Sequence, residues 1–271
     1  VSRSYLQNEP QVRKIREVIS SRVAAKVVEL AKKGSEEFAP IWEDIHTFVK
    51  YGMMREDKFY NKVKDQELNE VINIVTTNET YFFREDFQLK TFTDEILPEM
   101  KVRKEANGEE KKLRIWSAGC STGEEPYTIA MLMVDKPEFR DWDVEIIGTD
   151  ISHRVLQIAR KGVYGDVSFR STDDLTRRRF FSEVDGKYRI NDEIRSLVSI
   201  SHLNLFDAPR VSLLGKMDII FCRNVIIYFD LAAKKKVIES FYQRLRPEGF
   251  LLLGHSESLM NITSSFALRH F

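Results

Sequence analysis

The sequence predicts a two-part α/β chain: a small all-helical N-terminal domain, then a parallel-sheet domain carrying a small antiparallel β insert. Three observations predict it. No segment before residue 76 alternates like a strand, whereas apolar stripes of helical period recur there. From residue 113 onward, short runs rich in β-branched and aromatic residues alternate with helical patterns, which implies parallel strands covered on both faces. One charged stretch, 164–196, interrupts this alternation and contains the hairpin turn signal Asp185-Gly186.

In chain order, Val12, Ile15, Ile19, Val23, Val27 and Leu30 form the first apolar stripe, and Gly34 stops it after Lys32 and Lys33. Further helical patterns cover 38–50, 56–64 and 66–75, which gives a helical domain over 1–75. Residues 76–95 read as a connector, and 96–271 as the α/β domain. Its strands are expected at 113–119, 144–150, 197–204, 217–224 and 250–254, and its helices at 124–134, 152–161 and 231–246. Residues 108–112 read as a surface loop before the first strand, and KYRI (187–190) as one arm of the insert's hairpin.

Charge excludes some functions. The 271 residues hold 42 Lys+Arg against 42 Asp+Glu, so the chain is not a uniformly basic nucleic-acid binder. The balance is uneven, however, because residues 1–33 carry a net +5. Arg22, Lys26 and Lys33 share one helix face there, which is either a solvated face or a docking surface for an acidic partner. Cys120 and Cys222 form no disulfide framework and read as buried fillers. Apolar runs reach about six residues, far short of the roughly 20 that span a bilayer. The N-terminal stretch has no apolar signal core, so a cytoplasmic protein without membrane insertion is expected. The five histidines lack metal-ligand spacing, and no metal is expected.

The stretch Ile115-Trp-Ser-Ala-Gly-Cys-Ser-Thr-Gly-Glu-Glu-Pro-Tyr127 carries the chemistry. A strand enters a small-residue loop that opens a helix, and Ala118, Gly119 and Gly123 allow close approach of a ligand. The loop departs from the dinucleotide fingerprint. Glu124 and Glu125 at the helix start repel a pyrophosphate and suit a cationic amino group or sulfonium. Asp150 ends the second strand, where an acid accepts ribose hydroxyls. Asn204 and Asn224 follow the third and fourth strands, and an Asn amide can pair with an adenine edge. These features read as an S-adenosylmethionine site. Another nucleotide enzyme and a non-catalytic α/β module remain open on pattern alone. Gly254-His-Ser-Glu-Ser258 lacks the closing glycine of a hydrolase elbow.

Thr77–Glu85 (TNETYFFRE), Ser117–Tyr127 (SAGCSTGEEPY), Phe221–Asp230 (FCRNVIIYFD) and Gly254–Glu257 (GHSE) together resemble the chemotaxis-receptor methyltransferases of the CheR type. The resemblance spans 77–257 and implies a Rossmann-like class I methyltransferase domain. It implies methyl transfer from S-adenosylmethionine to glutamate side chains of chemoreceptor cytoplasmic helices, with S-adenosylhomocysteine as product. By resemblance, Asn78, Thr80 and Arg84 close over the cofactor, Glu124 holds its amino group and Asp150 its ribose. Ala118 and Gly119 line the loop, and Asn204, Leu205, Arg223 and Asn224 frame the adenosine. Arg84 and Tyr228 lie near the transferring methyl. The Glu-rich receptor helices supply an acidic partner for Arg22, Lys26 and Lys33. The turn Ser182–Gly186 is short beside family members that grip a receptor tail peptide, which argues for direct docking instead. The family adds a further strand after the position of Phe271. A monomer is expected, and a methyltransferase of another substrate class is the competing enzyme.

Overall fold

The computed structural model describes residues 78–269. The expected helical domain, with Arg22, Lys26 and Lys33, lies outside the described residues, as does the start of the connector. The described residues belong to a compact unit that begins at Asn78.

This unit opens with helices α1 (Asp86–Thr91) and α2 (Leu97–Ala106), joined by a π-helical turn over Phe92–Ile96. The sequence pattern predicts a connector over 76–95 and no helix over 96–106, whereas the chain is helical from Asp86 to Ala106. The signal was nevertheless present. Leu89, Phe92, Ile96, Leu97 and Met100 are buried at steps of one to four residues along one side. Pro98 interrupts the pattern, since it lacks the N–H for an interior helix bond, and the widened turn directly precedes it.

Strand β1 (Lys112–Ala118) leads through a tight loop into α3 (Glu124–Val134). Then follow β2 (Asp143–Asp150) and α4 (His153–Lys161), whose N-cap Ser152 accepts from the Val155 amide. The insert begins with β3 (Val163–Tyr164) and continues through α5 (Asp174–Phe180), β4 (Phe181–Val184), β5 (Lys187–Ile190) and α6 (Asp192–Ser196). It is a three-stranded antiparallel sheet in the order β3-β5-β4, one strand more than the expected hairpin. Asp185 (φ 51°) and Gly186 (φ 68°) form its two-residue turn, as a right-twisted hairpin requires. The chain then builds β6 (Val198–His202), α7 (Ala208–Leu213), β7 (Met217–Cys222), α8 (Leu231–Arg244) and β8 (Leu245–Leu253).

The main sheet is wholly parallel, in the order β6-β2-β1-β7-β8. Strand order therefore reverses between β1 and β7, and ligands bind outside the carboxyl ends at such a switch point. Both faces are covered. Ile115, Ile219 and Phe221 pack with Phe92, Met100 and Tyr127 on one side. Trp116, Ile220 and Cys222 pack with Val237, Ile238 and Phe241 on the other. No helix among the described residues is long and apolar enough to cross a membrane.

Candidate active site

The loop after β1 is shaped by close approach. The Gly119 and Cys120 amides both donate to the Thr149 carbonyl at 2.8 Å, which folds the loop back onto β2. Gly119 has φ 84°, and a Cβ there would collide with the Val225 side chain. Gly123 has φ 95° at the N-cap of α3, and a Cβ would sit 2.8 Å from that of Ala159. Both positions thus require glycine.

Two acids meet at this loop. Asp150, 9% exposed, accepts from the Ser121 amide and the Ser152 amide, both at 2.9 Å. Burial pushes its carboxyl up, and those amide bonds oppose the rise. Glu124, 2% exposed, accepts from Thr122 Oγ1 at 2.6 Å and Ser168 Oγ at 2.9 Å. Burial raises its pKa as well, and no basic side chain among the described residues forms an ion pair with it. A buried carboxylate served by hydroxyls and a backbone amide, with no cationic partner among the described residues, could hold a cation. Glu125 differs, because burial raises it while Arg223 Nη1, 3.2 Å away, pulls it back. Its second oxygen accepts from Ser117 Oγ at 2.7 Å.

Residues 78–85 of the connector lie across the carboxyl ends of β1 and β7. Ser121 Oγ donates to the Asn78 carbonyl at 3.4 Å. The Phe82 amide donates to the Ser168 carbonyl of the insert at 2.9 Å, and the Phe83 amide to Thr128 Oγ1 at 3.2 Å. The fully buried Phe82 ring contacts Tyr164, Phe169 and Phe181, with centroids 4.9–5.2 Å apart. At the far end Arg223 donates to the Arg84 carbonyl and pairs with Glu85 Oε2 at 3.3 Å. Arg223 therefore serves as a buried tether of the connector in this structure. Arg84 is half-buried. Its Nη1 donates to the Glu79 carbonyl at 2.7 Å, and no carboxylate among the described residues pairs with it.

The remaining candidates spread around the same strand ends. Asn204 Oδ1 accepts from the Phe206 amide at 2.9 Å, closing an Asx turn after β6. Leu205 packs against the buried cluster around Trp116. Asn224, in the left-handed region at φ 59°, turns the chain after β7, and the exposed Tyr228 ends the short helical turn Ile226–Tyr228. Thr80 is half-buried within the connector. Cys120 and Cys222 are buried, and burial pushes both thiols well up.

Sequence reasoning missed Thr122, Ser168 and Glu257. Ser168 reaches Glu124 from the insert, so that insert helps to build the site. Only tertiary structure brings Ser168 to Glu124, 44 positions away.

A doubly wound parallel sheet with one buried acid at the start of α3 and a second at the end of β2 is the architecture of a nucleoside-binding α/β domain. The CheR methyltransferase, SAM-binding domain model matches residues 78–270. Chemotaxis protein methyltransferase 2 of Vibrio cholerae is 42% identical over 208 residues, covering 76% of this chain and 71% of its own length. A chemotaxis protein methyltransferase of Borreliella burgdorferi is 38% identical over 196 residues, covering 71% and 69%. The chain belongs to the CheR methyltransferase family and is an S-adenosylmethionine-dependent methyltransferase of the chemotaxis type.

Proposed function

We propose that this enzyme methylates glutamate side-chain carboxylates of chemoreceptor cytoplasmic helices, forming glutamyl methyl esters. The observation that carries the cofactor half is the buried carboxylate of Glu124 at the switch point, which pairs with no basic side chain among the described residues and fits the cofactor's amino group. Asp150 takes the ribose hydroxyls. Asn78, Thr80, Ala118 and Gly119 line the loop side, and Asn204, Leu205 and Asn224 the adenosine side, with Arg223 behind them. When bound, S-adenosylmethionine supplies an electrophilic methyl on sulfonium sulfur and leaves as S-adenosylhomocysteine.

The protein's part is positioning. A glutamate acceptor is already ionised at neutral pH and needs no general base. The enzyme has to hold one acceptor oxygen in line with the methyl–sulfur bond and strip its water, and such placement supplies several kcal/mol. Arg84, which pairs with no carboxylate among the described residues, orients the acceptor, and Tyr228 borders the methyl path. The family relatives, named as chemotaxis methyltransferases, favour receptor helices as substrate. Arg22, Lys26 and Lys33 dock those helices in a monomeric cytoplasmic enzyme, and the short Ser182–Gly186 turn argues against tail-peptide binding by the insert. The test is transfer of radiolabelled methyl to receptor cytoplasmic fragments. Label released as volatile methanol by mild alkali marks a carboxyl ester, and alkali-stable label would overturn the reading.

A further inference from the structure

The segment after β7 carries Asn224 and Tyr228, yet its own backbone cannot hold it in place. Asn224 sits at φ 59°, and the helical turn that follows has only three residues, Ile226–Tyr228. The amides entering such a turn have no internal acceptor. Those of Asn224, Val225 and Ile226 are met by one side chain from elsewhere. Glu257 Oε1 accepts from the Val225 and Ile226 amides, each at 2.8 Å. Glu257 Oε2 accepts from the Asn224 amide at 2.8 Å and from the Gly254 amide at 2.6 Å. One carboxylate thus joins four amides from two separate segments.

Two neighbours fix the clamp. The Glu257 amide donates to the Gly254 carbonyl at 2.9 Å, which folds Gly254–Glu257 into a tight turn. The His255 amide donates to Glu85 Oε2 at 3.2 Å, tying that turn to the connector beside Arg223. Gly254 has an ordinary φ, so its smallness answers to space. A Cβ there would lie 2.8 Å from the Asn224 amide nitrogen, and 2.9 Å from both Asn224 Nδ2 and Glu257 Oε2.

We propose that Glu257 is a positioning residue for methyl transfer, shaping the segment that carries Asn224 and Tyr228, with Gly254 as the surface on which that segment closes. The hydrogen bonds to the Glu257 carboxylate among the described residues come from backbone amides, so its role is positioning rather than catalysis. The role given to Tyr228 and Asn224 rests on the proposed function above.

The test uses the full chain and the variants Glu257→Gln, Glu257→Asp and Gly254→Ala. Gln keeps the size but replaces one acceptor oxygen with an NH2 group that faces N–H donors. Gly254→Ala attacks the same clamp from the opposite side. Asp218→Asn is the comparison, because Asp218 is buried at the amino ends of β1 and β7, where it pairs with Lys104 and accepts from the Arg114 amide. At a temperature where every variant is folded, Glu257→Gln and Gly254→Ala lower kcat about tenfold or more, with receptor KM within about twofold. Amide hydrogen exchange in 224–229 accelerates by about tenfold or more in both, and elsewhere stays as in the parent. Glu257→Asp, with the charge kept, recovers part of that protection. Asp218→Asn lowers Tm but moves neither kcat nor exchange in 224–229. Parental kcat and parental protection in a folded Glu257→Gln or Gly254→Ala would overturn the proposal. If one of these does not fold, the other decides. Exchange needs no methyl acceptor, so an unchanged profile sinks the clamp, whereas absence of methyl ester with the parent enzyme sinks the functional reading instead.

Discussion

At the residue scale the site turns on carboxylates whose surroundings differ. Burial raises Glu124 above its ordinary 4.5 and Asp150 above its ordinary 3.8. A carboxyl raised on folding contributes stability that is present below its unfolded value and is lost as pH climbs through the raised one. The protein without cofactor therefore loses stability from these groups as pH rises out of the acid range, and a bound ammonium at Glu124 offsets the loss. The Tm increase given by S-adenosylhomocysteine, which keeps the amino group, accordingly grows with pH from about pH 4.5 toward neutrality. Glu124→Gln flattens that growth and weakens binding roughly 10- to 100-fold by calorimetry, the worth of one charge-assisted hydrogen bond. A pH-independent increase in the parent protein would contradict the assignment. At Arg84, kinetics separate two roles. If the guanidinium orients the acceptor through both nitrogens, Arg84→Ala and Arg84→Lys each lose about 100-fold in kcat. Full turnover by the lysine form at saturating substrate would exclude bidentate orientation.

At the scale of elements, the connector is held at both ends. Phe82 buries its ring among aromatic residues of the insert, and Phe82→Ala costs about 3–5 kcal/mol in urea unfolding. The other end depends on Arg223, whose side chain is 3% exposed between Glu85 and Glu125. Arg223→Met strands both acids and costs about 3 kcal/mol at neutral pH. Without the guanidinium, burial acts on Glu125 against the weaker opposition of the Ser117 hydroxyl and Arg84, and its pKa rises further. The loss shrinks as pH falls and Glu125 protonates, and adding Glu125→Gln restores part of it. A pH-independent loss would show that Glu125 does not carry the effect.

At the scale of the whole molecule, zero net charge conceals two opposed fields. The first 33 residues carry +5, and the proposed cofactor site holds the buried acids Glu124 and Asp150. Reversing Arg22 and Lys26 to Glu raises the receptor KM at low salt by about tenfold and leaves cofactor affinity unchanged, and the difference shrinks as salt screens the field. An unchanged KM at low salt would remove these residues from docking.

Local pattern alone determined the parallel α/β domain, the limits of α3, the loop glycines, and the two acids, Glu124 and Asp150. Each is legible because it depends on residues a few positions apart: period, propensity, and glycine where φ is positive or space is absent. The helical stretch from Asp86 to Ala106 was legible in its stripe but obscured by Thr91, Thr93 and Pro98. The third strand of the insert was not legible, because two residues, Val163 and Tyr164, carry no period and pair only with β5. Only tertiary structure decided which acid is paired with a guanidinium and which with hydroxyls. Glu124 and Glu125 are adjacent in sequence, yet one faces the hydroxyls of Thr122 and Ser168 and the other the guanidinium of Arg223, 98 residues away. It also joined Glu257 to a loop more than 30 residues earlier, since hydrogen-bond partners at that separation are fixed by chain topology.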